Sequence, residues 1–327
     1  MLLCGSKLFS YGNSMKPNRP STTAEHNAAL RAIESLRAYG DRLFTDSYAA
    51  FFLSDRLAQV AGSPFFGKQL LSHWEQVSPG VCGAVLVRTR FVDECLEAEI
   101  DRGLRQLVVL GAGYDTRALR FQKIKNKVAV FELDHPETQR VKKEIIRRRM
   151  GTLPAHVAYI PIRFEEESIA EKLFRTSFDP RAKTFFIWEG VTYYLPENTV
   201  DRTLSFIGTH SGEESTVVFD YFPPSVADGT CRLTEAVGLR EGLKRFGEEI
   251  VSGIAPDSMT SFLQDRGFDC LRNEAASSYL KAFLADGIRK LAVSEIFHFV
   301  HAAVASERVG GRFPTGRRRH KSKGGGS

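Results

Sequence analysis

The chain has 327 residues, of which 43% are hydrophobic and 26% charged, and this is enough for one large globular domain or two small ones. No segment approaches the ~20 apolar residues that cross a bilayer, and the apolar start is too short for a signal peptide, so we expect a soluble cytoplasmic protein. The formal net charge is +6, and six basic residues near the C-terminus account for all of it, so a basic surface on the folded part is not indicated.

The first third of the chain is predicted to be helical after an irregular segment over residues 1–20. Ser21 is a suitable helix N-cap, and apolar residues follow it at helical spacing. A short aromatic helix is predicted over 47–57 and a longer one over 82–102. We interpret residues 21–105 as a helical lid.

From residue 106 onward, short apolar runs alternate with helical patterns. Helices are predicted over 136–150, 196–207 and 257–266. The predicted strands are 107–110, 127–133, 157–160, 184–188 and 216–221, followed by a hairpin of 268–271 with 292–304. This order favours an α/β fold with a doubly wound, mostly parallel seven-stranded sheet and a C-terminal antiparallel hairpin.

We expect a single domain over residues 21–306, with the sheet core in 106–306 and an insertion at 223–256, where the pattern loosens. Residues 307–327 are predicted to be a solvated, disordered tail rich in glycine. A weak electrostatic contact of this tail with nucleic acid or an acidic partner is the alternative. The six basic residues are Arg312, Arg317, Arg318, Arg319, Lys321 and Lys323.

The cysteines and histidines do not form a metal-binding pattern. The eight histidines show no grouping with carboxylates, and the five cysteines include no Cys-x-x-Cys pair. We therefore predict neither a metal site nor a disulfide framework. The cysteines are Cys4, Cys82, Cys95, Cys231 and Cys270.

A glycine turn, Gly111-Ala112-Gly113, follows the first predicted strand. Glycine tolerates positive φ and lets a ligand approach the backbone closely. Thr116 occupies the position of the third glycine in a dinucleotide fingerprint, and Asp115 would repel a pyrophosphate. The turn therefore favours a cationic cofactor such as the sulfonium of S-adenosylmethionine, although a purely structural turn is the alternative.

Two acidic residues are predicted to share the edge of the sheet with this turn. Asp134 ends the second strand, where a carboxylate accepts hydrogen bonds from both hydroxyls of a ribose. Glu189 follows the fourth strand and suits an α-amino group or the positive side of a cofactor. The alternatives are a helix cap at Asp134 and a solvated carboxylate at Glu189.

Several motifs together resemble the leucine carboxyl methyltransferase family, and most of all its bacterial branch of S-adenosylmethionine-dependent methyltransferases. The resemblance spans residues 21–221 and implies a Rossmann-like, class I methyltransferase fold. The motifs are Asp41-Arg42-Leu43-Phe44-Thr45-Asp46-Ser47-Tyr48-Ala49, Arg88-Thr89-Arg90-Phe91, Val109-Leu110-Gly111-Ala112-Gly113-Tyr114-Asp115-Thr116-Arg117, Phe131-Glu132-Leu133-Asp134-His135-Pro136, and Trp188-Glu189-Gly190-Val191-Thr192-Tyr193-Tyr194-Leu195.

The resemblance implies that Arg88 binds the carboxylate of S-adenosylmethionine, in addition to contacts from Gly111, Asp134 and Glu189. It also implies that residues 162–164 flank the adenine. The family usually has Asp at the position of Arg163, and an arginine cannot accept a hydrogen bond from the adenine amino group. Adenine recognition would then depend on Phe164, backbone atoms or a neighbour such as Glu165.

For the acceptor, we favour a carboxylate of a small molecule or a peptide C-terminus, because a carboxylate is already ionised and needs no general base. Arg90 is the candidate cationic clamp, and Tyr194 the candidate acceptor-side residue. A hydroxyl acceptor would need a base, and no residue of the sequence stands out for that role. A non-catalytic cofactor-binding regulator and, less favoured, an NAD-dependent oxidoreductase are the alternative functions, and the oligomeric state is not predicted.

Overall fold

A computed structural model describes residues 21–125, 127–284 and 289–306. Seven strands form one sheet in the order β3-β2-β1-β4-β5-β7-β6. The strands are β1 (Gln106–Leu110), β2 (Ala129–Asp134), β3 (Val157–Pro161), β4 (Thr184–Trp188), β5 (Thr216–Tyr221), β6 (Phe268–Ala275) and β7 (His298–Val304). Strands β1 to β5 pair in parallel, and β7 pairs antiparallel with both β5 and β6.

The predicted sheet is confirmed, and its strands β4 and β5 begin and end at the predicted residues. Both are mainly apolar because helices cover both faces of the sheet, and every residue of each is buried, including Asp220 of β5. The last two strands pair as predicted, but 22 residues separate Ala275 from His298, and β7 lies between β5 and β6. This pair is therefore not a tight hairpin, and its second strand begins six residues later than predicted.

Twelve α-helices lie in the described part of the chain. They are α1 (Thr22–Ser35), α2 (Asp55–Ala61), α3 (Pro64–Val77), α4 (Val81–Asp101), α5 (Arg117–Arg120), α6 (Pro136–Met150), α7 (Ile169–Leu173), α8 (Glu197–Thr209), α9 (Pro224–Ala227), α10 (Thr234–Phe246), α11 (Met259–Gln264) and α12 (Leu280–Phe283). Short 3₁₀ turns lie at Ala49–Phe52, Gln122–Ile124, Thr192–Tyr194, Pro256–Ser258 and Ala276–Tyr279. Among these described residues, no helix combines the length and apolar character needed to span a membrane.

Several predicted helix boundaries are confirmed by local contacts. Ser21 Oγ accepts a hydrogen bond from the Ala24 amide at 3.1 Å, which caps α1. Helix α6 begins at Pro136 and ends at Met150 as predicted. The predicted helix over 47–57 is instead a 3₁₀ turn and the start of α2, separated at Leu53–Ser54.

Six of these described helices were not predicted, and only two of the six are longer than five residues. Helix α3 follows α2 after a short turn, and α10 lies in the segment 223–256 where the apolar pattern loosens. The division into lid, sheet core and insertion remains a prediction. The segments 1–20 and 307–327 lie outside the described residues.

The longest helix, α4, packs directly on the sheet. The Phe91 ring stacks on Phe299 of β7 with ring centroids 5.5 Å apart, and Leu96 is fully buried. Gly83 lies on the same helix where the chain at Ala292 crosses it. A Cβ added at Gly83 would lie 1.9 Å from the Ala292 carbonyl oxygen, so only glycine fits this crossing.

We expect Gly83→Ala to lower the free energy of unfolding by about 1–3 kcal/mol, because the backbone at Ala292 has to move. The matched control is Gly242→Ala in α10, where an added Cβ meets nothing within 4 Å. This control should gain about 0.5–1 kcal/mol, because alanine has the higher helix propensity. Urea unfolding of both variants measures the difference, and equal effects would contradict the close packing at Gly83.

Candidate active site at the glycine turn

The glycine turn follows β1 directly and needs glycine at both of its glycine positions. Gly111 and Gly113 have φ angles of +70° and +44°, which side chains other than glycine rarely adopt. A Cβ at Gly111 would lie 2.3 Å from Val191 Cγ2, in the loop after β4. A Cβ at Gly113 would meet the Ala24 side chain at 3.4 Å, which places α1 against the turn.

The backbone amides of the turn are engaged within the protein. The Gly111 and Ala112 amides donate to the Leu133 carbonyl at 2.8 and 3.0 Å. The Gly113 amide donates to the Asp134 carboxylate. A loop that cradles a pyrophosphate directs such amides at the ligand, so this turn is a poor dinucleotide site.

Asp134 lies at the end of β2, as predicted, beside the turn. Its carboxylate also accepts a hydrogen bond from the His135 amide, at 2.5 Å. Burial raises the pKa of Asp134 above its usual value, while the two amide contacts oppose that rise. The carboxyl group therefore gains from any further hydrogen-bond donor that a ligand brings.

Glu189 follows β4 and is held between two arginines. Its Oε1 lies 3.0 Å from Arg88 Nε, and its Oε2 lies 2.8 Å from Arg117 Nη1. Burial disfavours the charged carboxylate, but Arg117 and Arg88 outweigh this effect and lower the pKa of Glu189. Glu189 is therefore an ionised group at the sheet edge, where the sequence places it.

Arg88 lies at the site but is already paired. It contacts Asp220 through Nη1 at 2.6 Å as well as Glu189, and its side chain is 3% exposed. Gly190 lies against its guanidinium, because a Cβ there would be 3.4 Å from both Nη atoms. The contact of Arg88 with a cofactor carboxylate remains a prediction, and Nη2 is the terminal nitrogen without an ion pair to a described residue.

Arg117 is a site residue that the sequence reasoning missed. It begins α5, and its guanidinium contacts Asp93 at 2.8 Å, Glu189 and the Asp115 carboxylate. Asp115 therefore pairs with an arginine at the turn, an arrangement that the sequence did not indicate. The signal was the sequence position of Arg117, two residues after Asp115, inside the motif that carries the family resemblance.

A second chain of contacts ties the N-terminal helix to the turn. Arg31 of α1 pairs with Asp46 at 2.9 Å and donates to the Tyr114 carbonyl at 2.6 Å. The Thr116 hydroxyl donates to the same Asp46 carboxylate at 2.6 Å. Thr116, which replaces the third fingerprint glycine, thus anchors the turn to the loop before α2.

The charged groups around the turn are predominantly acidic. Four largely buried arginines face six acidic side chains, which leaves an excess of two negative charges when all of these groups are ionised. The buried ion pair of Lys142 with Glu132, at 2.7 Å, adds one charge of each sign. These groups are Arg31, Arg88, Arg117, Arg120, Asp46, Asp93, Asp115, Asp134, Glu189 and Asp220. The site suits a cationic ligand better than an anion.

Arg90, the predicted acceptor clamp, lies on another face of α4 than Arg88. Residues two apart on a helix do not share a face, and Arg90 is 41% exposed and pairs with Glu94 at 2.8 Å. It lines a cleft of about 390 Å³ together with Asp93 and Arg120 of the charged groups around the turn, and it also donates to the Leu43 carbonyl. Among the described residues, no ion pair joins Arg90 to the turn or to Glu189. Its role as an acceptor clamp remains a prediction.

Tyr194 lies in the 3₁₀ turn after Glu189, and its ring packs on Tyr193 with centroids 4.7 Å apart. Its hydroxyl hydrogen-bonds to Glu248, and burial raises the pKa of Tyr194 well above its usual value. Ser21 and Thr23 of the α1 N-terminus donate to the same carboxylate at 3.2 and 2.5 Å. Glu248, which the sequence did not indicate, therefore links the α1 N-terminus to Tyr194.

Residues 162–164 follow β3 at the same edge of the sheet. Arg163 is exposed, and its amide donates to Glu167 at 2.9 Å. Phe164 is half-buried against the core beneath the sheet. Within the described ranges, no group of three or more His, Cys, Asp or Glu side chains is arranged to hold a metal ion.

Comparison with known proteins identifies the family. The family model described as leucine carboxyl methyltransferase matches residues 24–208 of this chain. The chain belongs to the leucine carboxyl methyltransferase family. This confirms the resemblance predicted from the motifs around the glycine turn.

Bacterial relatives align with this chain over most of their own length. YktD of Bacillus subtilis, provisionally named an S-adenosyl-L-methionine-dependent methyltransferase, is 26% identical over 310 residues, or 88% of this chain and 99% of YktD. A protein of Mycolicibacterium gilvum with the same provisional name is 33% identical over 239 residues, covering 70% of this chain and 73% of the relative.

Solved structures show the same fold at low sequence identity. A protein of Thermobifida fusca, provisionally named a methyltransferase, superposes with a TM-score of 0.56 at 12% identity, covering 88% of this chain and 96% of that one. A DUF574 family protein of Streptomyces avermitilis gives a TM-score of 0.54 at 11% identity, covering 83% and 99%. The predicted α/β class of this family member is thereby confirmed.

The ion pair of Asp115 with Arg117 makes the stability of the protein sensitive to acid. Burial opposes ionisation of Asp115, but Arg117 and the cations around it lower the pKa of Asp115 to about 2. A lowered pKa stabilises the fold above the unfolded value near 4, and this stabilisation is lost as the pH falls toward 2. We expect Asp115→Asn to lower the free energy of unfolding by about 2 kcal/mol at pH 7 and by much less at pH 2.5.

Urea unfolding at both pH values measures the effect, with the exposed Asp269→Asn as control. The Arg117 amide donates a hydrogen bond to Asp115 Oδ1 at 2.6 Å. Asparagine at position 115 keeps an oxygen that can accept this hydrogen bond. An equal loss of stability at pH 7 and pH 2.5 would contradict the electrostatic origin of the effect.

Proposed function

We propose that this chain, an S-adenosylmethionine-dependent methyltransferase by its family, methylates a carboxylate oxygen of a small molecule or of a peptide C-terminus. The observation that supports the cofactor is the acidic edge of the sheet, and the choice of a carboxylate acceptor rests on its being ionised without a general base. There a glycine turn without free amides lies between Asp134 and the arginine-held Glu189.

The residues at this edge fit the cofactor. The Asp134 carboxylate would accept hydrogen bonds from the ribose, and the ionised Glu189 would bind the α-ammonium group. Arg88 would contribute Nη2 to the carboxylate, and Phe164 would lie against the adenine. The excess of negative charge around the turn supports a cationic sulfonium ligand.

When bound, S-adenosylmethionine supplies a methyl group whose bond to a cationic sulfur breaks as an acceptor oxygen attacks it, leaving a neutral thioether. The protein then has to align the acceptor and exclude water. The α1 N-terminus is fixed to Glu248 through Ser21 and Thr23, and Glu248 also binds the Tyr194 hydroxyl, so this end of α1 is suited to exclude water. A carboxylate acceptor needs no residue of this chain to remove a proton.

The two alternative functions are less well supported. An NAD-dependent oxidoreductase would need amides free for a pyrophosphate, and those of Gly111, Ala112 and Gly113 donate to Leu133 and Asp134. A non-catalytic cofactor-binding regulator is consistent with Arg163 in the position of the usual family aspartate. Cofactor binding without methyl transfer to any acceptor in a cell extract would favour that regulator.

We expect Asp134→Ala to weaken binding of S-adenosylmethionine at least about 100-fold, because two charge-assisted hydrogen bonds to the ribose are lost. Isothermal titration calorimetry measures the affinity, and Asp269→Ala on exposed strand β6 is the control. Circular dichroism verifies that both variants fold. Unchanged affinity of a folded Asp134→Ala protein would refute the proposed cofactor site.

A second candidate acceptor is a hydroxyl group, and Glu248 favours it. Its carboxylate already accepts hydrogen bonds from the hydroxyls of Ser21, Thr23 and Tyr194, so it is placed among hydroxyl groups beside the site. A base in that position could take the proton of a hydroxyl acceptor, which contributes about 10²- to 10⁴-fold in rate.

Transfer of a tritiated methyl group to an extract separates the two acceptors. For the proposed carboxylate acceptor, we expect the label to be released by mild base, as a methyl ester, and Glu248→Gln to retain its rate within about tenfold, because no proton is transferred. A base-stable label, together with a rate loss of about 100-fold or more in Glu248→Gln, would instead establish the hydroxyl acceptor.

A further inference from the structure

We infer that Arg117 is a positioning residue that holds Glu189 in place for the ammonium group of the cofactor. The inference rests on the proposed function, in which Glu189 binds that group. Arg117 is the first residue of α5, and its side chain is 3% exposed. Its guanidinium therefore acts within the protein and reaches a ligand only through its neighbours.

Arg117 joins three elements at one point. Its Nε contacts Asp93 of α4 at 2.8 Å, and its Nη1 contacts both the Asp115 carboxylate of the turn and Glu189 Oε2. Its Nη2 lies 3.4 Å from the Thr89 carbonyl oxygen. Because one nitrogen bridges the turn and the strand end, Arg117 fixes the separation between the glycine turn and Glu189.

Glu189 is the accessible member of this cluster. Its side chain is 15% exposed, against 3% for both Arg88 and Arg117. Each arginine takes one of its oxygens, so the plane of the carboxylate is fixed from two sides. A ligand at the sheet edge thus meets a carboxylate whose orientation is set before the ligand binds.

Arg117 also keeps Glu189 ionised. Glu189 is faced by Arg88 from α4, Arg117 from α5, Asp115 from the turn, Asp220 beside Arg88 on β5, and Arg31 from α1. Burial and the repulsion from Asp115 both favour the protonated form of Glu189. Without Arg117, one of the two close cations that oppose them would be lost. Glu189 would then take up a proton at a higher pH, and a protonated carboxyl attracts an ammonium group weakly.

The test compares three variants of the full chain in their binding of S-adenosylmethionine between pH 5 and pH 7.5. We expect Arg117→Met to weaken binding about 10- to 100-fold at pH 5.5 and to recover as the pH rises and Glu189 loses its proton. Arg117→Lys, which keeps a cation, should recover much of the affinity. The wild-type protein should bind equally well across this range.

The control variant is Arg266→Met. Arg266 precedes β6, its side chain is 20% exposed and pairs with Asp201 at 2.5 Å, and it does not belong to the charged groups around the turn. The affinity of this variant for S-adenosylmethionine should stay within about twofold of the wild type, independent of pH. A loss equal to that of Arg117→Met would overturn the inference, since removal of any largely buried arginine would then be sufficient.

A second probe separates positioning from general damage to the site. 5′-Methylthioadenosine has neither the ammonium nor the carboxylate group, so its affinity should be the same in Arg117→Met and the wild type. An equal loss for both ligands would assign Arg117 a merely structural role and overturn the inference. The inference would also be overturned if Arg117→Met bound S-adenosylmethionine as tightly as the wild type. If the wild-type protein itself did not bind S-adenosylmethionine, the proposed function would be refuted.

Discussion

The position of β1 in the sheet determines where the glycine turn, Asp134 and Glu189 lie. This strand is the centre of the parallel part, with Leu110 opposite Leu133 of β2 and Val109 opposite Ile187 of β4. Parallel neighbours end at the same edge, so the glycine turn, Asp134 and Glu189 meet there although 77 residues separate Gly111 from Glu189. The apolar strand residues are buried on both faces, and a slip of one residue would turn them to the wrong face.

That edge carries a cost in stability. Burying several carboxylates around one turn is unfavourable unless each has a cation or amide partner. Most of them have one: Asp115 and Glu189 share Arg117, and Asp220 pairs with Arg88. Asp134 has amide partners only, and burial raises its pKa. At the predicted ribose position this methyltransferase therefore has a buried carboxyl group with amide donors and no ion pair to a described residue.

Sequence reasoning was accurate where the signal is local. Strands β2 and β4 are short, mainly apolar runs, and Asp134 and Glu189 were placed because the first ends such a run and the second directly follows one. The roles of Arg117 and Glu248 depend on contacts between distant segments, such as Glu248 with Ser21, which no spacing pattern records. Arg90 was chosen as a cationic clamp for a carboxylate acceptor from its residue type, and the sequence could not show that its side chain is 41% exposed and pairs with Glu94.

The direction of the last strand has a practical consequence. Strand β7 runs antiparallel to β5, with His298 opposite Tyr221 and Ala303 opposite Thr216. The described chain therefore leaves the sheet at the edge where β1 to β5 begin, while the glycine turn lies where β1 ends. A surface or fusion partner attached after Ser306 would be joined at the far side of the sheet, which leaves the cofactor edge facing away from the attachment. A C-terminal truncation that extends into His298–Val304 would instead remove β7 from the interior of the sheet.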